Sequence, residues 1–237
     1  MFRKIKHKLL KNGRIKNYLK YALGEVLLIV IGILIAVSIN NWNKNRTEIK
    51  LKNGIFNILA NDIQIDLAEV KQILDYYEDK KSTFKKVMTD TLTKNEILKC
   101  NYCRHLITGR RLLTINTRGF QQLNRSIGEF KNDSLTFDVV NFYTTLNNDV
   151  EKLNDLINED IIDNLKYWRD SYQWFVSSTI GELKEEDYIN YFANNAEYKN
   201  RVAYHYILIY ENYVPVLKTF QVKSEKMLKD IKLRLDE

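Results

Sequence analysis

The residues best spaced for chemistry are two cysteines, Cys100 and Cys103, followed by His105. A C-x-x-C pair suits a redox dithiol, half of a zinc site or a local disulfide. A four-ligand zinc site is incomplete, because the sequence has only two cysteines and its other histidines are the distant His7 and His205. No βαβ pattern surrounds the pair, which disfavours a thioredoxin-like protein. We expect a Cys100–Cys103 disulfide, with a thiol-redox role as the alternative.

Other residue patterns that carry catalysis are absent from the sequence. It contains no Glu-x-x-His pair of a di-metal carboxylate site, no P-loop, no G-x-S-x-G and no H-E-x-x-H. Asp62 and Asp66 are four residues apart and could face one ligand, although solvent-exposed helix charges are the simpler interpretation. His205 falls on an apolar stripe and is expected to be a hydrogen-bonded core residue. We therefore predict that the protein is not an enzyme and binds neither cofactor nor metal.

A long apolar stretch is predicted to form a transmembrane helix over residues 21–43. This helix would anchor the rest of the chain to the membrane. It carries no charge from Val26 to Asn43, and a bilayer core of about 30 Å needs about 20 helical residues. Residues 1–20 hold eight Lys and Arg and no acidic residue. The positive-inside rule therefore predicts a cytoplasmic tail over 1–20 and an exported domain over 44–237. A cleaved signal peptide is the alternative, since small residues at Ala36-Val37-Ser38 suit a peptidase, but the long span favours an uncleaved anchor.

One face of the predicted membrane helix carries polar and small residues instead of bulky aliphatic ones. At 100° per residue four side chains fall on one narrow stripe, namely Glu25, Gly32, Ala36 and Asn40. Gly32 and Ala36 form a small-xxx-small pattern, which lets two helices approach closely. We predict that this stripe associates with another helix. The alternative is that Glu25 reaches the cytoplasmic interface and the small pair has no role.

Three amphipathic stretches of about 45 residues follow, beginning near Ile55, Leu135 and Tyr188. Their apolar residues recur at steps of three and four, which is the helical period. We predict an all-α fold in which the transmembrane helix continues into an antiparallel bundle of three long helices. In that arrangement the second helix returns to the membrane, so the loop near 177–182 is membrane-proximal and the C-terminus membrane-distal. Pro215 is expected to kink or interrupt the third helix.

The segment over about 93–133, between the first two long helices, is predicted to form two short helices at the membrane-distal end of the bundle. It is strongly basic, and Glu129 is its only acidic residue between positions 99 and 131. A solvent-exposed basic face is the usual explanation of such a run. The more specific hypothesis is that these residues form a docking tip for an acidic partner. The basic residues are Lys99, Arg104, Arg110, Arg111, Arg118, Arg125 and Lys131.

The formal net charge of +7 belongs to the N-terminal segment and not to the exported domain. Residues 1–46 hold ten Lys and Arg against the single acidic residue Glu25, so the remaining chain is slightly acidic. A nucleic-acid-binding domain would carry its basic excess on the folded domain. The sequence therefore predicts no nucleic-acid partner.

The run from Gly24 to Asn43 fits the pattern G-E-x-x-L-x-x-I-G-I-L-I-A-x-x-I-N-N-W-N. This pattern resembles the N-terminal signature of an uncharacterised family of small single-pass inner-membrane proteins of Bacteroidetes. The spacing of Phe120, Leu123 and Ser126 is similar to that family's mid-domain pattern. The resemblance implies inner-membrane placement and a periplasmic helical domain, and it implies no activity.

Together these observations predict a non-enzymatic, membrane-anchored envelope protein. It is expected to bind a protein partner or a second copy of itself, forming a homo-oligomer in the latter case. Two alternatives stay open, a periplasmic helical bundle that senses a small ligand, and the thiol-redox role of the C-x-x-C pair.

Overall fold

The structure is a computed structural model that describes residues 15–100, 102–128, 133–182 and 185–236. Within these ranges the chain is helical and has no strand, which confirms the all-α prediction. It divides into two compact units, Met1–Gly54 and Ile55–Glu237. The helices are α1 (Ile15–Met88), α2 (Lys94–Lys99), α3 (Arg118–Arg125), α4 (Ser134–Ser171), α5 (Trp174–Thr179), α6 (Glu185–Asn194), α7 (Ala196–Tyr206) and α8 (Val214–Leu235), with a 3-10 turn at Cys103–His105 and a π-helical segment at Ile207–Tyr213.

The first unit, as far as it is described, is the N-terminal part of α1, and its apolar side chains face outward. The most apolar 18-residue window has a mean hydropathy of 2.7 and is 0% buried. Among the described residues α1 is the one helix that is long and apolar enough to cross a membrane. The predicted long apolar N-terminal helix is therefore confirmed, and its composition is compatible with membrane anchoring.

In the second unit, the C-terminal helices run in the opposite direction to residues 55–88 of α1. Phe84 stacks on His205, with ring centroids 5.9 Å apart. Tyr77, earlier on α1, packs edge-on against Tyr213, which comes later in the chain, at 6.1 Å. The residue that comes later on α1 therefore contacts the residue that comes earlier in the C-terminal helices, so the two elements are antiparallel.

The C-terminal helices are antiparallel to α4 as well. Asp160 on α4 hydrogen-bonds to His205, whereas Phe142, near the start of α4, contacts Phe220 on α8 at 5.8 Å. Because both long helices are antiparallel to the same third element, α1 and α4 run parallel to each other. The antiparallel arrangement that we expected for the first two long helices is therefore wrong.

The parallel arrangement is made possible by an extended stretch over residues 109–117, which we call the return segment. Tyr77 hydrogen-bonds to the carbonyl oxygen of Arg111, and Asp66 accepts from the backbone N–H of Asn116. Eleven residues of α1 rise about 16.5 Å, and five residues of the return segment cover that distance. The resulting rise of about 3.3 Å per residue is that of a fully extended chain. The chain therefore travels back along α1 before α4 begins.

The two ends of the second unit follow from this path, and we call them the Ile55 end and the Met88 end. Helix α2 lies at the Met88 end, where Lys86 pairs with Glu96. Helix α3 lies at the Ile55 end, where Gly119 packs against Leu59. The two short helices therefore lie at opposite ends of the second unit. The prediction that they share one end is wrong.

The C-terminus also lies at the Ile55 end, since Arg234 approaches Asp133 to 3.8 Å just before α4 begins. The loop after α5, by contrast, belongs to the Met88 end, because Trp174 packs there with Trp168 and Phe84 in one cluster. Both placements differ from the order predicted for three alternating helices, which puts that loop at the Ile55 end and the C-terminus at the Met88 end. The cause is the return segment, which adds one extra passage along the bundle.

The third long helix predicted from the periodicity is interrupted twice. Asn195 ends α6 and caps α7, accepting the backbone N–H of Tyr198 at 2.9 Å. Further on, the π-helical segment precedes Pro215, and Val214 donates its N–H to Ile209, five residues back. A proline has no N–H to donate to the preceding turn, and here the wider π-helical turn directly precedes it. The expected interruption at Pro215 is thus a change of helix type.

Side chains from α1, α4 and α8 fill the interior of the second unit. The larger cluster contains Ile63, Val70, Leu146, Leu217 and Ile231, all 0–2% exposed. A smaller cluster at the Met88 end is mostly aromatic and includes Trp168, Tyr191 and Tyr198. Burial of these faces stabilises the unit, at about 1.5–3 kcal/mol for each large apolar side chain.

Candidate functional site

The polar and small stripe of the membrane helix is exposed along its whole length. Glu25, Gly32, Ala36 and Asn40 are all solvent-exposed on α1. A Cβ atom added at Gly32 would have no other atom within 4 Å. The fold of the first unit therefore gives no reason for a small residue at this position.

The basic residues of the insert do not gather into the single tip that we predicted. Lys99 lies on α2 at the Met88 end, and Arg118 and Arg125 lie on α3 at the Ile55 end. The partners of α2 and α3 on α1, Lys86 and Asp62, are separated by 24 helical residues, or about 36 Å. The extended return segment spreads these charges along the bundle.

The other described basic residues of the insert lie between these two helices. Arg110 and Arg111 are exposed within the return segment, and the guanidinium of Arg111 lies 5.5 Å from the ring of Tyr76. The side chain of Arg104 and all of Lys131 lie outside the described residues.

Cys100 and Cys103 are joined as a disulfide at the Met88 end. Cys103 is 2% exposed, and its carbonyl oxygen accepts a hydrogen bond from Tyr198. A short turn after the pair leads to Leu106 and Ile107, which are buried in the aromatic cluster. The disulfide thus closes the turn that directs the chain from α2 into the core.

Asp62 is fully buried on α1 and holds the start of α3. Its Oδ2 accepts the backbone N–H of Gly119 at 2.9 Å, and its Oδ1 accepts a guanidinium N–H of Arg118 at 2.7 Å. A Cβ at position 119 would lie 2.8 Å from the backbone nitrogen of Leu59. Glycine therefore allows the backbone of α3 to come close enough for the Asp62 carboxylate to reach its N–H.

Asp66, one turn later, holds the end of the return segment. Its carboxylate accepts the backbone N–H of Asn116 at 3.1 and 3.2 Å and the side-chain N–H of the same residue at 2.6 Å. Burial raises the pKa of Asp66 to about 6, and the hydrogen bonds from Asn116 oppose part of that rise. The carboxylates of Asp62 and Asp66 are thus structural acceptors for backbone groups of the insert, and the solvent-exposed placement that we expected is wrong.

A sequence signal for this burial exists. Asp62 and Asp66 are offset by three and seven positions from Leu59, and Val70 continues the same series. Those spacings belong to one helical face, so both acids fall on the apolar stripe. A carboxylate on such a stripe requires a hydrogen-bonding partner, and the sequence does not reveal that residues 116–119 supply it.

A second buried polar network lies between α4 and α7. His205 Nδ1 and Asp160 Oδ2 are 2.6 Å apart, and Asn164 bridges from Asp160 to the carbonyl oxygen of Ile107. Arg201 completes the network by donating to Asn164 at 2.9 Å. His205 is 1% exposed and stacks on an aromatic ring, so it is a hydrogen-bonded core residue, as predicted from its place on the apolar stripe.

The network underlies an open groove of about 490 Å³ that includes Glu159, Asp163 and Glu197 in its lining. Arg201 donates to Asp163 and Glu197 at the edge of this groove. Its charge is therefore already matched by carboxylates of the same chain. We interpret the arrangement as a brace between α4 and α7.

The comparisons with known proteins give one match. A model for a family of unknown function (DUF6090) matches residues 25–110, which include the apolar part of α1, helix α2 and the disulfide. Neither a comparison with curated proteins nor one with solved structures finds a match. The bacterial group and the signature pattern of the resemblance stay predictions.

Proposed function

We propose that this protein is a non-enzymatic component of a bacterial envelope assembly, anchored in the inner membrane by α1. The tail at 1–20 lies in the cytoplasm and the second unit lies in the periplasm. The polar and small stripe of α1 pairs with the same helix of a second copy or with a membrane helix of a partner protein.

One observation carries this proposal. No residue in the apolar window of α1 is buried, and Gly32 has no intramolecular neighbour that requires a small side chain. Lipid can cover the aliphatic faces, but it gives no advantage to glycine at Gly32 or to a carboxylate at Glu25. A second helix uses both, because close backbone approach and interhelical hydrogen bonds stabilise helix pairs in membranes.

The second unit supports an interaction role over the two alternatives. A small-ligand sensor calls for a polar pocket between the long helices, whereas their facing side chains form a filled apolar core. The buried acids Asp62, Asp66 and Asp160 bind groups of the same chain. A thiol-redox role calls for an accessible sulfur, whereas Cys103 is buried and Cys100 is only partly exposed.

Crosslinking of the full chain in native membranes, followed by purification in mild detergent, tests the proposal. We expect the unaltered chain to form a crosslinked dimer or a complex of defined mass. The double variant Glu25→Leu/Gly32→Leu should reduce that product at least fivefold, because leucines on the stripe prevent close approach.

The matched control is Gly24→Leu, which makes a similar substitution about 100° away from the stripe. A Cβ there also has nothing within 4 Å, so a leucine at either glycine meets no other described atom of the chain. Recovery of the unaltered chain only as a monomer, or equal loss of crosslinking in the control, would overturn the proposal.

A further inference from the structure

The outer face of α1 changes in character along the second unit. From Ile55 to Ala68 no exposed residue is charged, and the exposed residues there are Asn57, Asn61, Gln64, Ile65 and Ala68. From Lys71 to Lys86 the exposed residues of the same helix are mostly charged. A helix face that meets only water is usually rich in charge, as this later part is. The uncharged part has instead the composition of a surface that contacts another protein, since charged residues are depleted there.

The uncharged face follows a seven-residue period that begins just before the second unit. Two series alternate at steps of three and four, which is the pattern of the core positions of a coiled coil. One series is aliphatic and the other consists of small or amide residues, namely Leu51, Ile58 and Ile65, and Gly54, Asn61 and Ala68. Seven residues turn a helix to within about 20° of two full turns, so both series stay on one face over three repeats. We call this face of α1 the α1 seam.

The fold of the chain leaves the α1 seam uncovered. Leu51 and Ile65 are 45% and 46% exposed. A Cβ atom added at Gly54 would meet no other described atom within 4 Å. Glycine in the interior of a helix is unfavourable relative to alanine, and here no intramolecular contact compensates for it. A second helix does so, because glycine permits a close approach of its backbone while the aliphatic side chains pack between the helices.

The chemistry of the α1 seam suits an identical copy of the chain. In a parallel pair of identical helices, each core position faces the same position of the other helix. An asparagine side chain both donates and accepts hydrogen bonds, so Asn61 can pair with its own counterpart. Ile58 and Ile65 occupy the first core position of their repeats. Isoleucine at that position is typical of two-stranded parallel coiled coils.

The same series also sets the end of the α1 seam. After Ala68 the next core positions are Gln72, Asp75 and Asp79. In a parallel pair each aspartate would face another aspartate, and like charges that face each other are repelled. The contact between copies must therefore end near Gln72. From Leu51 to that residue the helix rises about 31 Å.

We infer that the α1 seam, over residues 51–72, forms a parallel two-stranded coiled coil with the α1 seam of a second copy of this chain. Three repeats are near the minimum for a coiled coil, but two chains that are anchored in one membrane meet at a high effective concentration. The inference therefore rests on the proposed function. It deepens that proposal, because it commits the partner of α1 to a second copy and assigns a contact to residues beyond the apolar window.

Cysteine substitutions in the full chain, followed by mild oxidation of native membranes and non-reducing electrophoresis, test the α1 seam. Ile65→Cys and Ala68→Cys should each give a disulfide-linked dimer. The unaltered chain sets the background, because Cys100 and Cys103 are already bonded to each other.

Two exposed positions of α1 serve as controls. Lys71→Cys lies about 90° from the middle of the α1 seam and should crosslink at least fivefold less than Ala68→Cys. Ser82→Cys continues the seven-residue series but lies beyond Asp75 and Asp79, so its crosslinking should stay at background.

Charges placed on separate copies distinguish two facing positions from a chance collision. With Ala68→Cys as the reporter, Ile65→Lys alone and Ile65→Glu alone should each reduce the dimer at least fivefold, because like charges then face each other. Co-expression of the two variants should restore at least half of the dimer as a mixed pair. Ile65 is 46% exposed, so neither substitution places a charge in the core of the second unit.

Several results would overturn this inference. They are crosslinking of Ile65→Cys and Ala68→Cys no stronger than that of Lys71→Cys, equal crosslinking of Ser82→Cys, no restoration on co-expression, or a crosslinked product that contains a different protein.

The crosslinked dimer of the chain without added cysteines, which tests the membrane helix, is measured in parallel. A membrane-helix dimer that forms without crosslinks at the α1 seam would overturn the α1 seam alone. Crosslinks of Ala68→Cys that persist undiminished in Glu25→Leu/Gly32→Leu would overturn the membrane-helix pairing alone.

Discussion

The two ends of the insert between α1 and α4 are fastened by different chemistry. At the Met88 end a disulfide closes the turn after α2, and buried aromatic side chains surround Cys103. At the Ile55 end the attachment is polar, since Asp62 and Asp66 accept backbone N–H groups of Gly119 and Asn116. The first kind is local in sequence, and the second joins residues about 50 positions apart.

This difference shows which contact decides the topology. A disulfide between residues three positions apart shapes a turn but does not choose the direction of the chain that leaves it. The two buried carboxylates do so, because they are satisfied only when residues 116–119 lie against the first turns of the second unit. The parallel course of α1 and α4 therefore depends on the polar end of the insert.

The largest effect is expected for Asp62→Ala. The substitution leaves the N–H of Gly119 buried without an acceptor and removes the charged hydrogen bond from Arg118. Together these losses should lower the free energy of unfolding by about 3 kcal/mol. Urea unfolding of the full chain in mild detergent, followed by tryptophan fluorescence, measures this loss. The exposed Asp75→Ala on the same helix is the control, with a change below about 0.5 kcal/mol.

Trypsin cleavage of the folded chain tests whether the two ends of the insert are held independently. In Asp62→Ala, cleavage after Arg118 and Arg125 should accelerate while cleavage after Lys99 stays slow. Simultaneous acceleration at both ends would mean that the insert opens as one unit. The distinction between its two attachments would then be lost.

A smaller effect is expected for Cys100→Ala/Cys103→Ala. A disulfide that closes a loop of about four residues removes little entropy from the unfolded chain, which corresponds to about 2 kcal/mol at 25 °C. The same urea unfolding measures it, with added reductant on the unaltered chain as the control. Trypsin should now act first after Lys99, the reverse of the order in Asp62→Ala. An unfolding free energy equal to that of the unaltered, oxidised chain would contradict a stabilising role.

The smallest effect concerns Asp66 and pH. Its pKa is raised to about 6 from the ordinary 3.8, so between these values the folded chain holds a proton that the unfolded chain has lost. Its stabilising contribution is complete below about pH 4 and is lost as the pH rises through 6. Relative to Asp66→Asn, which does not titrate, the unaltered chain should lose about 1 kcal/mol of unfolding free energy from about pH 5.3 to 7. A constant difference between the two proteins would show that the carboxylate is not buried in this way.

Sequence reasoning succeeded where one element explains its own pattern. The apolar helix follows from composition alone, the helical class follows from periodicity, and the core placement of His205 follows from its position on an apolar stripe. It failed where a residue's partner lies far away in the chain. Asp62 looked like a solvated charge because nothing near it in sequence shows that Arg118 and Gly119 would cover it.

The basic residues of the insert show the same limit. A single basic tip was expected because the charges are adjacent along the chain. Extension of residues 109–117 separates them by about 36 Å between α2 and α3.

Composition and periodicity alone predict one long apolar helix and a helical domain after it, because hydrophobicity and period are local properties of the chain. The direction of α4, the end at which the C-terminus lies and the hydrogen-bonding partners of each buried carboxylate follow only from the folded chain. Those outcomes depend on hydrogen bonds between positions such as Asp66 and Asn116. The free energy of such a hydrogen bond depends on both residues together, so neither residue by itself predicts it from the sequence.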